Sequence, residues 1–273
     1  MAVNTKATLS DSAVDLMEQA VIISGNTYNK IDAFATIETD QLANSVAFTV
    51  FSRMSKATTP LTDGTEATST TMSDTKVTLT MDEYGKVITS TSLANISTAG
   101  KADLAAARLV GVNLGETTDA LGIAAVEGGT NTTAAASAGT LAKGDLRTAQ
   151  KTLASNGITK FPDGRYVAFM HPDQVADIKD DYISIVQNTN IGEAVNGMVG
   201  ALEGFTIIED ANCTSSIVSC FGMDALGKGV ALSPELRLTE GNDNLGRAVN
   251  VGWYGVLKYA VIDQNALEVI TGA

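Results

Sequence analysis

Two cysteines, one histidine, four prolines and few aromatics (5%) are all that 273 residues contain of these types. Each scarcity excludes something. Two cysteines cannot build a disulfide framework. A single histidine rules out His-based triads and His-rich zinc sites within one chain. Basic residues are outnumbered, 18 Lys and Arg against 31 Asp and Glu, for a net charge of −13. That balance argues against a grip on nucleic acid, which needs clustered Lys and Arg to displace counterions. The longest apolar stretches, around 102–114 and 249–262, fall short of the roughly 20 residues a membrane span needs or are broken by charge. The first ten residues lack the apolar stretch of a secretory signal. The expectation is a chain folded in a cytoplasm, with Cys213 and Cys220 reduced and buried as small apolar side chains. A local disulfide or a reactive thiol is the alternative.

What is present is a chain long enough for one large or two small domains. Ala and Thr supply about a quarter of the residues, which suits Ala-rich helices and Thr-rich strands. Few large aromatic anchors mean modest burial per residue, and hence some reliance on neighbouring subunits. Residues 1–43 read as an arm with a short helix over Ala13–Ala20, capped by Ser10 or Asp11, then a loop through Gly25 and Asn26. The arm carries two basic and six acidic residues, so it is not a basic arm for condensing nucleic acid.

Residues 44–57 alternate as a strand, with Val46, Phe48 and Val50 on one face and Ala47, Thr49 and Phe51 on the other. Residues 76–92 alternate again through Val77, Leu79, Met81 and Val87. The long polar stretch between them contains Pro60 and an Asp63-Gly64 turn signal. Loops of this length are uncommon in compact domains. The pattern predicts a two-stranded finger with a polar tip, against the plainer alternative of a loose surface loop.

Residues 100–126 give the clearest helix, with a stripe of Leu104, Ala107, Val110, Leu114 and Leu121, and with Asp103 in its first turn. Gly111, Gly115 and Gly122 each cost about 1 kcal/mol there against Ala; close packing against another backbone is one compensation. Glu127–Thr140 reads as a flexible connector. A second helix covers 143–156, with Leu146, Ala149 and Leu153 inward and Gly157 past its end. A turn leads to a buried strand, Tyr166–Met170, and His171-Pro172-Asp173 opens another helix. Residues 195–210 read as a Gly-punctuated loop and a strand. Short strands follow at 217–222 and 228–233, then two strand-like runs in Val249–Val269 split by a tight turn at Asp263-Gln264-Asn265. The fold class is α+β, without a repeated βα unit.

Catalytic constellations are missing. There is no phosphate-binding Gly-x-x-x-x-Gly-Lys-Ser/Thr loop and no Gly-x-Ser-x-Gly elbow. His171 reads as a hydrogen-bonded turn residue, against a lone catalytic base. Asp82-Glu83, Asp180-Asp181 and Glu209-Asp210 are adjacent carboxylates, whose side chains diverge on a strand or helix. They read as solvated faces or turns. The Asn-x-Ser/Thr sequences at Asn95, Asn131 and Asn212 carry little weight without a secretory signal. The informative features are the arm and the finger. Each suits pairing with a neighbour's sheet edge, and several such contacts on one chain point to a ring or shell.

In this order the elements resemble the tailed-phage major capsid protein family with the Hong Kong 97-type fold. Val77–Ile88 resembles that family's strand leaving its extended loop, and Asp103–Leu121 its spine helix. Asp145–Gly157 followed by Tyr166–Pro172 resembles the helix, strand and His-Pro turn of its axial domain. Gly197–Gly200 with Leu202–Glu209 resembles a later turn and strand of that domain, and Trp253–Val261 a closing strand of the peripheral domain. The resemblance implies an N-terminal arm over 1–43, an extended loop over 44–80, a peripheral domain over 81–140 and 240–273, and an axial domain over 141–239. It implies that the spine glycines allow close approach to the peripheral sheet. It implies a structural protein of the virion with no catalytic residues, cofactor or metal, assembled in the host cytoplasm.

The implied partners are copies of the chain itself, as pentamers and hexamers of an icosahedral shell. A separate scaffolding protein, a portal and a decoration protein complete the set. The loop tip, at Thr59, Pro60, Asp63 and Gly64, is the expected subunit interface. Double-stranded DNA would be enclosed without sequence-specific binding, and no membrane is involved. Lys56 and Lys76 flank the loop, yet neither matches the cross-linking motif of some relatives, so no cross-link is assigned. The alternatives are an encapsulin-like nanocompartment shell around an enzyme cargo, a small hydrolase or ligand-binding domain using His171 and the carboxylates, and an adhesin or surface-layer protein. The missing secretory signal counts against the last.

Overall fold

The protein's structure, a computed structural model, describes residues 19, 21–23, 25, 28–39, 44–64, 66–98, 101–186, 200–240 and 247–273. The helix expected over Ala13–Ala20 lies outside these apart from Gln19, as does the glycine-punctuated loop over 195–199.

Strand β1 (Thr36–Thr39) follows a 3-10 turn at Ile31–Phe34. Then come β2 (Ser45–Phe51), β3 (Asp74–Thr80), β4 (Asp82–Thr91) and helices α1 (Ser92–Ser97) and α2 (Lys101–Glu127). Strand β5 (Thr132–Ala134), helix α3 (Lys143–Ser155), strand β6 (Tyr166–Met170) and helix α4 (Pro172–Val186) form the middle. Strands β7 (Ala201–Leu202), β8 (Phe205–Glu209), β9 (Ile217–Phe221), β10 (Leu226–Glu240), β11 (Ala248–Val261) and β12 (Leu267–Thr271) complete the chain. They make a four-stranded sheet in the order β1-β10-β11-β4, a six-stranded sheet in the order β5-β12-β9-β6-β8-β7, and the separate pair β2-β3.

Helix α2 joins the two sheets. Its N-terminal half lays Ala106, Ala107, Val110 and Leu114 on Val251 and Trp253 of the four-stranded sheet. Its C-terminal half puts Ile123 and Val126 into a second core with Phe169, Phe221, Leu257, Leu267 and Val269, which draws on both sheets. On the far face of the six-stranded sheet, Leu146, Ala149 and Leu153 of α3 and Val175 and Ile178 of α4 cover Tyr166, Ala168, Met170 and Ile207. Strand β6 is therefore buried on both faces, which explains its unbroken apolar run. Asp145 fixes the start of α3 by accepting the backbone N–H groups of Ala142 and Ala136, both at 3.1 Å. Gly157 follows that helix at φ +68°, the left-handed conformation that glycine adopts without strain.

Several expectations change. Gly25 and Tyr28 are helical rather than in a loop. Gly115 and Gly122 of α2 face this arm segment, not the sheet. A Cβ on Gly115 would collide with the carbonyl of Gly25 and come within 2.8 Å of Tyr28, and one on Gly122 would come within 2.5 Å of Ile31. Leu104 is exposed instead of inward, and the inward stripe is Ala106, Ala107, Val110 and Leu114. The supposed connector after α2 contains β5, which pairs in parallel with β12. The short strand expected at 228–233 is part of the 15-residue β10. Its ladder to β11 shifts register between Val230 and Leu232 and again between Leu232 and Glu235. Pro234, which has no N–H to give a ladder, sits in that irregular stretch, with Gly255 opposite leaving it room. The expected divisions at 141 and 239 do not follow the sheets: β10 lies with β4 and β11, whereas β5 and β12 lie with β6, β8 and β9.

Candidate assembly surface

The finger forms as the alternation requires. Strands β2 and β3 pair antiparallel from Ser45 opposite Thr80 to Phe51 opposite Asp74. At the root, Val46, Phe48, Leu79 and Met81 are buried against Ala231, Val256, Ala260 and Ile262. Two glycines of β10 accept this root: a Cβ on Gly227 would reach Phe48 at 3.0 Å, and one on Gly229 would run into Met81. Beyond the root the burial stops. Residues 51–64 and 66–76 are all exposed, Phe51, Met54, Leu61 and Met72 among them. Thr59, Pro60, Asp63 and Gly64 are all exposed, and Gly64 takes φ +76° with nothing within 4 Å of a would-be Cβ. Arg53, on the stem, donates to the carbonyl of Gly157 at 3.3 Å.

The four-stranded sheet has one covered face and one open face. Val251, Trp253 and Ile88 turn to α2, and the Trp253 indole N–H donates to Asn113 at 3.0 Å. On the other face Arg237, Gly252 and Val87 lie in one row across three strands, and Glu235, Tyr254 and Gly85 in the next. Both glycines lack the side chain that would fill the surface. A Cβ on Gly85 would meet the Trp253 carbonyl at 2.7 Å, and one on Gly252 the Lys86 carbonyl at 2.7 Å. The result is a hollow of about 210 Å³ lined by Gly85, Lys86, Val87, Arg237, Thr239, Gly252 and Trp253. Val87, expected to continue the inward alternation of the finger strand, is exposed at its edge. Met81 interrupts the strand, so β4 begins a new alternation in which Tyr84 and Ile88 turn inward.

A polar joint ties the arm to the rest, and nothing in the sequence singled it out. Fully buried Asp119 on α2 accepts the backbone N–H groups of Lys30 (2.8 Å) and Ile31 (3.0 Å) and the side-chain amide of Asn212 (3.0 Å). Burial holds its carboxyl above the usual carboxylate range against those hydrogen bonds, with a further push from Asp210. Asp210 itself is paired with Lys30 at 2.8 Å. Asp32 accepts from Lys228 (2.5 Å), from the Tyr259 hydroxyl (2.6 Å) and from Asn29 (2.8 Å). Burial, with Asp32 beside it, pushes the Tyr259 phenol well up. A lone Asp inside the apolar stripe of α2 was the available signal; its partners lie 88 to 93 residues away.

His171, Asp82 and Asp210 each have a structural partner. His171 opens α4, with its N–H given to Gln174 at 3.0 Å and its Nδ1 accepting from the Asp173 N–H at 3.3 Å. Asp82 pairs with Lys258. Cys213 and Cys220 are free and buried in different cores, and burial raises both thiols, which keeps them protonated. Among the described residues no three His, Cys, Asp or Glu side chains converge on a metal-sized site. None of the described helices is long and apolar enough to cross a membrane.

This arrangement of arm, finger, long helix and two sheets recurs in solved shells. The head structure of Helicobacter pylori bacteriophage KHP40 matches with a TM-score of 0.69 at 11% identity, over 89% of this chain and 91% of that one. The capsid of Ralstonia phage GP4 matches at 0.68 and 12%, over 89% and 88%. The virus-like particle from Pyrococcus furiosus matches at 0.64 and 12%, over 94% and 99%. No curated protein matches. The class is therefore the α+β Hong Kong 97-type fold. Within it, the model of the phage capsid protein family matches residues 103–270, and the chain belongs to that family.

Proposed function

We propose that the chain is the major capsid protein of a tailed double-stranded DNA bacteriophage and assembles as pentamers and hexamers into the icosahedral head. The observation that carries this reading is the finger. It is buried at its root and exposed from residue 51 to 64 and 66 to 76, with Leu61 and Met72 in the open. A solvent-facing projection of this length, polar apart from exposed Phe51, Met54, Leu61 and Met72, suits pairing with a neighbouring copy. In this reading the four-stranded sheet with α1 and α2 is the peripheral unit. The six-stranded sheet with α3 and α4 is the axial unit that meets its copies around the five- and six-fold axes. Thr59, Pro60, Asp63 and Gly64 form the intersubunit tip. Each contact is weak alone, and a closing ring makes many at once, so their sum is strong.

A subunit at −13 repels DNA rather than condensing it. Filling then calls for a motor at a portal, and closure for a scaffolding protein; a decoration protein is compatible with the outer face. Assembly takes place in the host cytoplasm, and the protein has no catalytic role. A second shell reading, a compartment around protein cargo, shares the fold, since a virus-like particle matches about as well as the phage heads do. The family match favours the phage head. Negative-stain electron microscopy with light scattering, with and without the phage scaffolding protein, tests the proposal. Closed shells, or pentamers and hexamers, are expected. A monomer under both conditions would overturn it.

A further inference from the structure

Past its buried root the finger is a slender lever. Its two strands hold each other through a ladder that ends at Ser52, whose N–H donates to the carbonyl of Ser73 at 2.9 Å. Four buried side chains, Val46, Phe48, Leu79 and Met81, fix its base. Such a lever swings about its root unless something beyond the root restrains it. An unrestrained lever gives up that freedom only when it binds, at a cost in entropy.

A contact beyond the root crosses to the other half of the same subunit. Arg53 follows the end of β2 and donates from Nη1 to the carbonyl of Gly157 at 3.3 Å. The receiving site suits a guanidinium in three respects. Gly157 has no side chain where Arg53 lies, and a Cβ there would run into Nη1. The last carbonyls of a helix carry partial negative charge and attract cations, and α3 has no basic residue in its own last turn. Arg53 brings that cation from 104 residues away. The site is also firm, because the Asn156 side-chain amide donates to the carbonyl of Asn265 at 3.2 Å and ties the helix end to the turn before β12.

We propose that Arg53 is a positioning residue, a strap that holds the finger at one angle against the end of α3 before any neighbour is met. The strap stands on this contact alone; its consequence for assembly rests on the shell reading. A hydrogen bond of this kind biases an equilibrium by about fivefold. That makes the strapped finger the main population of the free subunit. It is also weak enough to yield where a neighbour's contacts favour another angle. A finger held in this way has less freedom left to lose on binding, so more encounters between subunits are productive.

The test begins on the full chain, dilute and unassembled. Spin labels are placed on Thr75→Cys, on the paired stem, and on Thr148→Cys, on α3; both positions are exposed. Cys213 and Cys220 are buried and stay unlabelled. Pulsed electron paramagnetic resonance then reads the distribution of distances between finger and helix. The expected result is one narrow peak. Arg53→Gln should raise the share outside that peak about fivefold and leave the urea unfolding midpoint where it was. Arg53→Lys, which keeps a cation at the helix end, should restore much of the peak. The same distribution with and without Arg53→Gln would overturn the strap. The second measurement is the initial rate of shell growth, read by light scattering after scaffolding protein is added to unlabelled chain. Arg53→Gln should slow it about fivefold. An unchanged or faster rate would overturn the strap's part in assembly. An unaltered chain that forms no shells would overturn the shell reading itself, and the distance distribution would still decide the strap.

Discussion

The finger and the β10–β11 pair are both long antiparallel ladders with alternating side chains, and they end in opposite circumstances. The β10–β11 pair is flanked by β1 and β4 and covered on one face by α2. The finger has four buried residues at its root, and beyond them both faces and both edges are open. Local pattern does not separate the two. What separates them is the supply of partners within the chain. A long ladder with open edges invites pairing with another molecule. One ladder is finished by its own subunit, and the other is left for a neighbour.

That contrast predicts a clean division of mutant effects. Deleting residues 59–71 removes no buried group among the described residues, so the subunit should stay soluble and lose less than about 1 kcal/mol of stability. Closed shells should nevertheless disappear from electron micrographs, an all-or-none effect. Normal shells from this deletion would remove the finger from assembly and break the comparison. Phe221→Ala should do the reverse. Phe221 is fully buried, stacks on Phe169 at 5.8 Å between ring centres, and meets Phe34 and Phe161 edge-on. Truncation should cost about 3–5 kcal/mol in urea unfolding. A cost below about 1 kcal/mol would mean that the core between the sheets is not what holds the subunit.

How much of this is legible in the sequence depends on range. Helix α3 is legible because Leu146, Ala149 and Leu153 repeat at helical spacing and all three are buried. The finger is legible because alternating runs flank a long polar insertion. β10 is not legible beyond its first half, because Pro234 hides a strand that continues through two register shifts. β5 is not legible because Gly, Thr and Ala look flexible until β12, more than 130 residues later, offers an edge. The exposure of residues 59–64 follows from the polar insertion, whereas the hollow at Gly252 has no counterpart in the local pattern. It is made by three strands whose residues are far apart in the sequence, and an absent side chain leaves no local signal. The polar joint is not legible because the partners of Asp119 lie 88 to 93 residues away in the sequence.

The arm's seat offers a smaller test. Gly122 faces fully buried Ile31, whose Cγ2 would lie 2.5 Å from an added Cβ. An Ala there gains about 1 kcal/mol of helix propensity, and overpacking of a filled site costs about 1–3 kcal/mol. Gly122→Ala should therefore destabilise the subunit by about 1 kcal/mol net in the same unfolding assay. Gly144→Ala in α3, with nothing within 4 Å, should instead stabilise it slightly. Equal effects at the two sites would mean that the arm is not packed on α2 as described.

The smallest effect concerns protons. The Asp119 carboxyl is raised in the folded protein, chiefly by burial and against its hydrogen bonds to Lys30, Ile31 and Asn212. A raised acid takes up its proton in the native state at a pH where the unfolded chain is still ionised. Over that interval the native state binds more protons, so this group favours folding as the pH falls and opposes it as the pH rises. Exposed Asp163 and half-buried Glu203 act with the opposite sign, since their partners Arg165, Thr206 and Arg147 hold them below the usual range. A bare pH profile mixes the two, and a comparison with Asp119→Asn isolates the first. The variant carries no charge at any pH, so its advantage over the unaltered chain should be greatest at neutral pH and shrink as the pH falls through the acid range. The readout is urea unfolding of the finger-deleted subunit, which removes assembly from the measurement. An advantage for the variant that stays constant down to the pH at which unfolded carboxylates protonate would mean that Asp119 does not titrate above its unfolded value. The joint would then be held by hydrogen bonds alone, with no electrostatic strain stored where the arm meets the long helix.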